Sequence, residues 1–362
     1  MTKVLFILDD LSGGGAERVF VNIANGFADN NIVVEFLVGE KKGVYLNLLN
    51  KTIPISEVGG TTLFKYLTTF PRILKRNNYS HIFTASHYAS SAAIIAKKIT
   101  RKQAKIYLTH HYSHPASRPI KYLKGEVILK LIHFFITPHA DKIIAVSKGS
   151  LDWLRKFSHH KLRQGTFIYN PVFDDTICAL AVEQVNFPTD IKDKIVLLTV
   201  GRLSEQKDHL TLIKAFGVFK QIHNNALLFV LGTGPLQLML ENYIEENGLS
   251  DCVYLMGFQV NPYKWMAKCD VFILSSIYEG FGNVIVEAMA LGKTVVSTNC
   301  PSGPAEILQD GALGYLCLVN DPVAMSASIE KALQKPIDAN ILQQSATQYT
   351  ISEIVKKYIE IL

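Results

Sequence analysis

The sequence has no apolar run as long as the ~18 residues a membrane-spanning helix needs. Its most apolar stretch, Val127–Ile136, is interrupted by Lys130 and His133. The start shows no basic region, apolar core and small-residue cleavage site; a strand-like KVLFIL stands there, so secretion is not expected. The five cysteines (Cys178, Cys252, Cys269, Cys300, Cys317) are an odd number without CxxC spacing. Neither a disulfide framework nor a cysteine-based metal site is expected, and the thiols read as reduced and mostly buried, as in the cytosol. Charged residues make up 19% against 48% apolar, which excludes general disorder. No short-period repeat or low-complexity tract is present.

Acids are missing from one region in particular. Between Glu57 and Glu126 there is none, against twelve basic residues. Residues 1–170 hold 24 Lys and Arg against 10 Asp and Glu, a balance of +14. Residues 171–362 hold 13 against 21, a balance of −8, which leaves the chain at +6. Surfaces of this kind suit anionic partners, either nucleic acid or an anionic membrane face.

What is present is an alternation of short β-rich runs with helical patterns, twice over. At 362 residues the chain is long for one domain and comfortable for two. Strands are predicted at Lys3–Leu8, Ile32–Val38, His81–Ala85, Lys105–Thr109 and Lys142–Val146. After Asn170-Pro171-Val172 an irregular stretch runs to about Lys194. The alternation restarts with strands at Ile195–Val200, Leu227–Leu231, Val253–Met256, Val271–Leu274 and Thr294–Ser297. Repeated βα units imply parallel sheets with helices on both faces, hence an α/β chain of two doubly wound, Rossmann-like domains. The expected division is 1–175, 176–345, and a C-terminal helix over 346–362 crossing back to the first domain.

Parallel sheets bind ligands at the carboxyl ends of their strands, so the loops there carry the chemistry. Ser12-Gly13-Gly14-Gly15 follows the first strand, and its glycines let backbone N–H groups approach a ligand at a helix start. A tight βα turn explains them equally. The spacing is not GxGxxG and no acid ends the second strand, which counts against a dinucleotide oxidoreductase. GTGP at 232–235 reads as a turn. Arg202 and Lys207 sit in one post-strand loop and can converge on a diphosphate, each charge-assisted bond contributing ~1.5–3 kcal/mol. The competing reading is an exposed basic loop partnered by Glu205 and Asp208.

The segment SSIYEGFGNVIVE, residues 275–287, holds the most information. Glu279 stands in a loop with two glycines, and the helix that follows is apolar almost all round. Glu287 lies inside it with no cation three or four residues away. A carboxylate buried there calls for a hydrogen-bonding ligand, unless it reaches solvent at the helix edge. The N–H groups of Gly282, Asn283 and Val284 can hold a phosphate at the helix start. No His/Cys cluster has ligand spacing, and Asp9-Asp10 and Asp174-Asp175 lack a metal-binding context, so no metal site and no cofactor is expected.

The pair Glu279 and Glu287 resembles the E-x7-E motif of family 4 retaining glycosyltransferases, which have the GT-B fold of two Rossmann-like domains facing a cleft. GGGAER after the first strand, ADKIIAVSKG at 140–149, YNPV at 169–172, GRLSEQKD at 201–208 and EGFGNVIVEAMALGKTVVSTNCPSGPAEIL at 279–308 are similar to that family in the same order. The resemblance implies a donor that is a nucleotide diphosphate sugar, UDP-linked, carrying a hexose or N-acetylhexosamine. It implies that Arg202 and Lys207 grip the diphosphate and that Glu279 contacts the transferred sugar. Gly280, Phe281, Gly282, Asn283 and Val284 then line the donor site, and Glu287 binds the ribose. Gly14 and Gly15 match the loop that closes over the donor phosphate. His110 matches the first-domain histidine near the donor sugar, with His111 a close competitor. Glu306 and the SGP turn match a further donor-side loop or a helix cap. Fixed positive charge would stabilise the leaving diphosphate, and no side-chain nucleophile is required. A non-catalytic nucleotide-sugar-binding partner and a two-lobed sugar-nucleotide epimerase are the alternatives; the intact set of Arg202, Lys207, Glu279 and Glu287 argues against the first.

The basic half receives a separate reading. Thr61–Asn78 and Ile120–Ile136 mix Leu, Phe, Tyr and Ile with Lys and Arg, a composition suited to an anionic lipid surface. The expectation is an acceptor-binding first domain docked on the inner face of the cytoplasmic membrane, with a lipid-linked glycan or lipopolysaccharide acceptor of surface-polysaccharide or capsule synthesis. No nucleic-acid-binding motif appears, so nucleic acid is not an expected partner.

Overall fold

The structure, a computed structural model, describes residues 2–111, 137–157 and 164–362. The chain divides into two compact units, Met1–Val172 with Ile351–Leu362, and Phe173–Thr350. The segment Ile120–Ile136 lies outside the described residues.

The first unit's strands are β1 (Lys3–Leu8), β2 (Val33–Val38), β3 (Ile55–Glu57), β4 (His81–Thr84), β5 (Lys105–His110), β6 (Lys142–Ala145) and β7 (Gly165–Phe167). Among the described residues they form one seven-stranded sheet in the order β3-β2-β1-β4-β5-β6-β7, with every pairing parallel. The apolar run of β1 is buried on both sides because successive side chains alternate faces. Val4, Phe6 and Leu8 pack with Phe20 and Phe27 of the helix Gly15–Asp29 and with Tyr358 of the helix Ile351–Ile359. Leu5 and Ile7 face the other way, onto Tyr66, Phe70 and Leu74 of the helix Leu63–Arg76 and Ala92 and Ala96 of the helix His87–Thr100. The C-terminal residues are tied to this sheet by Tyr107, whose hydroxyl donates to the Ile361 carbonyl at 2.6 Å.

The second unit repeats the plan with β8 (Ile195–Val200), β9 (Ala226–Leu231), β10 (Val253–Leu255), β11 (Val271–Leu274), β12 (Thr294–Thr298) and β13 (Tyr315–Cys317). Their order is β10-β9-β8-β11-β12-β13, again all parallel. The stretch read as irregular after Val172 contains a short helix, Thr176–Ala181. Phe173 and Thr350, the first and last residues of this unit, pair as an isolated bridge. Four of the five cysteines are buried and all are free thiols; Cys178 is exposed.

In both sheets the winding reverses at the centre, between β1 and β4 and between β8 and β11. Neighbouring loops there diverge to opposite faces and leave a crevice at the strands' carboxyl ends. The second unit places residues 201–208 and 275–282 at that point. Among the described residues, no helix is long and apolar enough to cross a membrane.

Candidate functional site

Two loops meet at the reversal point of the second sheet. β8 runs into Gly201-Arg202-Leu203, and Leu203 is fully buried, which fixes the loop's path. The loop is held from the side by GTGP. Leu203 N–H donates to the Thr233 carbonyl at 3.0 Å and Gly201 N–H to the Leu231 carbonyl at 2.9 Å. A Cβ at Gly232 would stand 2.0 Å from the Gly201 oxygen, and one at Gly234 would stand 2.2 Å from the Leu203 oxygen. GTGP is therefore more than a turn: its glycines let one backbone lie against the other. Arg202 emerges exposed from this braced loop.

Lys207 ends the same loop, and its Nζ pairs with Glu279 Oε1 at 2.5 Å. Ser276 Oγ donates to the same oxygen at 2.6 Å. Ser276 is wholly buried and its carbonyl accepts the Thr298 hydroxyl at 2.5 Å. Ser275 Oγ donates to the Lys207 carbonyl at 2.7 Å, and Gln206 Nε2 donates to the Tyr278 carbonyl at 3.0 Å. The loops after β8 and β11 are thus bound by backbone and side chain, with an ion pair at their junction. Glu205 and Asp208 are not the partners of the two cations. Asp208 takes a left-handed conformation (φ +44°) and caps the helix His209–Lys220 by accepting the Thr211 N–H at 3.2 Å. Burial raises the Asp208 carboxyl above its ordinary pKa.

Glu279 is 6% exposed, so these donors take the place of the water its carboxylate has lost. Behind it lies Cys300, whose thiol is pushed up to about 12, first by burial and then by the Glu279 carboxylate. Gly303 supplies the remaining brace. Its φ is +94°, and a Cβ there would stand 1.9 Å from the Phe281 carbonyl oxygen. The SGP turn therefore clamps the backbone between Glu279 and Gly282, while Glu306 lies half-buried in the short helix Pro304–Ile307. Phe281 is buried edge-on to Tyr349, with ring centroids 5.5 Å apart.

The helix Asn283–Ala290 starts on Gly282 (φ +105°), which has no side chain to cap it. Ile285, Val286, Ala288 and Met289 fill the core as their apolar pattern predicts. Val284 and Glu287 lie on the half-exposed face. Glu287 is half-buried, not buried without a partner: Tyr263 donates its hydroxyl to Glu287 Oε1 at 3.3 Å. Tyr263 is 24 residues away, so spacing along the helix could not reveal it. Lys207, Glu279 and Gly280–Asn283 are thus gathered around one junction. Glu287 stands on the helix that leaves it, and Arg202 on the loop that enters it.

The first unit presents its own residues at the ends of β1 and β5. Gly14 is the N-cap of the helix Gly15–Asp29. The Glu17 carboxylate folds over it, so close that a Cβ on Gly14 would lie 2.1 Å from Glu17 Oε2. Burial raises the Glu17 pKa, with Asp10 and Asp9 adding to the effect. Glu17, unremarked in the sequence, is therefore part of the glycine loop. His110 and His111 diverge, as consecutive residues at a strand end do. His110 is 8% exposed and stacks on Trp153 at 5.7 Å. His111 turns to Phe20 at 5.7 Å and to Thr109 Oγ1 at 3.1 Å, and burial lowers its pKa to about 4.

Comparison with known proteins agrees with this architecture. The family described as Glycosyltransferase Family 4 matches residues 13–175, and that described as Glycosyl transferases group 1 matches residues 183–349. A Campylobacter jejuni protein, N-acetylgalactosamine-N,N'-diacetylbacillosaminyl-diphospho-undecaprenol 4-alpha-N-acetylgalactosaminyltransferase, is 34% identical over 218 residues. That match covers 59% of this chain and 58% of the relative's length. A second C. jejuni protein, a GalNAc-alpha-(1->4)-GalNAc-alpha-(1->3)-diNAcBac-PP-undecaprenol alpha-1,4-N-acetyl-D-galactosaminyltransferase, is 23% identical over all of this chain and 98% of its own. Among solved structures, Anabaena HepE in complex with UDP and glucose superimposes with a TM-score of 0.81 at 22% identity, covering 100% of this chain and 99% of that one. The lipopolysaccharide outer core galactosyltransferase WaaB gives 0.75 at 22% identity, covering 99% and 98%. The fold is GT-B, and the chain belongs to the group 1, family 4 glycosyltransferases.

Proposed function

We propose that the chain is a retaining glycosyltransferase that moves a hexose or N-acetylhexosamine from a UDP-linked sugar to a lipid-linked glycan in surface-polysaccharide synthesis. The observation that carries this reading is the Lys207–Glu279 pair at the point where the second sheet reverses its winding. The names of the relatives, with their diphospho-undecaprenol acceptors, and the UDP and glucose bound by HepE support the choice of substrates.

In this reading Arg202 and Lys207 neutralise the diphosphate as it leaves with the electrons of the glycosidic bond. The start of the helix Asn283–Ala290 adds its dipole to that field. Glu279, held at Oε1 by Lys207 and Ser276, directs its second oxygen to hydroxyls of the transferred sugar. Gly280, Phe281 and Gly282, clamped by Gly303, offer backbone groups to the same sugar and its phosphates. Glu287 takes the ribose. From the first unit, His110 serves the sugar, and Gly14 with Gly15 serves the donor phosphate. The departing phosphate removes the acceptor proton on the face it leaves, so configuration is kept without a covalent enzyme intermediate.

The first unit is assigned to the acceptor and to an anionic membrane face on the cytoplasmic side. Its helix Leu63–Arg76 buries Tyr66, Phe70 and Leu74 and leaves Phe64 73% exposed among Lys65, Arg72, Lys75 and Arg76. The test is transfer from a panel of UDP-hexoses and UDP-N-acetylhexosamines to a lipid-diphosphate saccharide, with the product anomer read by NMR. A product of the donor's own configuration supports the proposal; an inverted product, or no transfer from any donor, removes it.

A further inference from the structure

A cavity of about 280 Å³ opens on the first unit at the end of the helix His87–Thr100, lined among others by Lys97, Lys98, Arg101, Lys102 and His139. The four cations belong to the acid-free stretch between Glu57 and Glu126, but none of them lies on the helix Leu63–Arg76 or among the residues assigned to the donor. Four cations reach this cavity from six consecutive positions, and the acid among their partners is already engaged. Lys97 Nζ pairs with Asp141 Oδ2 at 2.7 Å, and that oxygen also accepts the Ile106 N–H at 2.7 Å. Lys102 Nζ donates to the Asn78 amide oxygen at 2.5 Å, a neutral partner. Among the described residues, Lys98 and Arg101 have no ion pair. Four cations against one carboxylate leave three positive charges uncompensated in one concavity.

The backbone adds a second observation. Arg101 lies in the left-handed region (φ +53°, ψ 27°) where the chain leaves the helix. Glycine takes that conformation without cost, and an arginine does not. Lys97 and Lys98 already complement the helix dipole, whose influence fades beyond the last turn. The left-handed conformation is the helix's C-cap, and it places the Arg101 charge past the last turn beside the lysines of the same cavity, where a shared anion would offset their repulsion. The guanidinium fork and the ammonium groups match phosphate oxygens.

We propose that this cavity binds a phosphate group, separate from the donor site of the second unit; its lipid arm rests on the membrane-facing reading of the first unit, and its free-phosphate arm does not. The phosphate is either a lipid headgroup or a free anion, and two arms distinguish them. In the first, the full chain is co-sedimented with phosphatidylcholine vesicles with and without phosphatidic acid. In the second, inorganic phosphate is titrated calorimetrically. Each cation near a charged surface contributes a factor of about five, so Lys98→Glu with Arg101→Glu should weaken binding by roughly 25-fold or more. That loss on vesicles alone assigns a lipid phosphate; the same loss for inorganic phosphate assigns a free one; equal binding by variant and wild type in both arms overturns the proposal. Arg101→Gly separates charge from folding: it should keep or raise the melting temperature and still lose affinity about fivefold. Wild-type affinity in Arg101→Gly would also overturn it.

Discussion

Lys207 and Glu279, 72 residues apart in sequence, form an ion pair of 2.5 Å in which the side chains are 19% and 8% exposed. Removing one partner of such a pair leaves the other charged and poorly solvated, at a cost of about 3–5 kcal/mol. Lys207→Ala and Glu279→Ala should each lower the melting temperature, and the double variant should recover part of that loss. Calorimetry on the three variants checks this. Transfer activity should be nearly abolished in all of them, which separates the pair's stabilising role from its chemical one.

Ser276 should act through Glu279. Its hydroxyl occupies the oxygen that also takes Lys207, so Ser276→Ala frees the carboxylate to rotate. Loss of one hydrogen bond to a charged group costs about 1.5–3 kcal/mol. The expected result is a fall in kcat of about tenfold or more with little change in KM for the nucleotide, and partial rescue by Ser276→Thr. An unchanged kcat would assign Ser276 to the fold alone.

Gly303 should tolerate no side chain. With φ at +94° and the Phe281 oxygen 1.9 Å from any Cβ, Gly303→Ala must push the Glu279–Gly282 backbone out of place. Activity should drop more than stability, because the displaced residues are those assigned to the donor. Steady-state kinetics and a thermal melt on the same variant measure both effects.

These residues also mark what the sequence could and could not disclose. The interior strands were legible because both faces are buried and the runs are continuously apolar, as in β8 and β9. β3 (ISE), β7 (GTF) and β13 (YLC) escaped notice, since three residues at a sheet edge show no period. Arg202, Lys207, Glu279 and Glu287 stand out in the sequence by their place in post-strand loops and an apolar helix, and the family resemblance adds their roles, while the contact of Lys207 with Glu279 needs the fold to bring two loops together. Ser276 carries no signal of its own in the sequence, because its partner Glu279 Oε1 is fixed only by the folded loop. Gly232 and Gly303 are explained by backbone neighbours 31 and 22 residues distant, which local turn chemistry cannot anticipate. The divergence of His110 and His111 was available from strand alternation alone.

Acid should destabilise the second unit through His209. The residue is 2% exposed, and burial, followed by the charge of Lys207, lowers its pKa from the ordinary 6.5 to about 3. Below pH 6.5 the unfolded chain takes up a proton that the native state refuses, so stability falls as pH drops from about 6.5 towards 3. This group contributes a slope of about 1.4 kcal/mol per pH unit in that window. Melting temperatures at pH 7, 6, 5 and 4 should decline, and His209→Gln should flatten the decline. An identical pH profile in the variant would exclude His209 as the cause.

The most direct measurement is calorimetric titration of UDP into wild type and into Arg202→Ala, Lys207→Ala and Glu287→Ala. Wild type should bind, and each substitution should weaken affinity by roughly tenfold or more, the loss of one charge-assisted contact. Equal affinity across all four proteins would contradict the assignment of a nucleotide diphosphate to the crevice between β8 and β11.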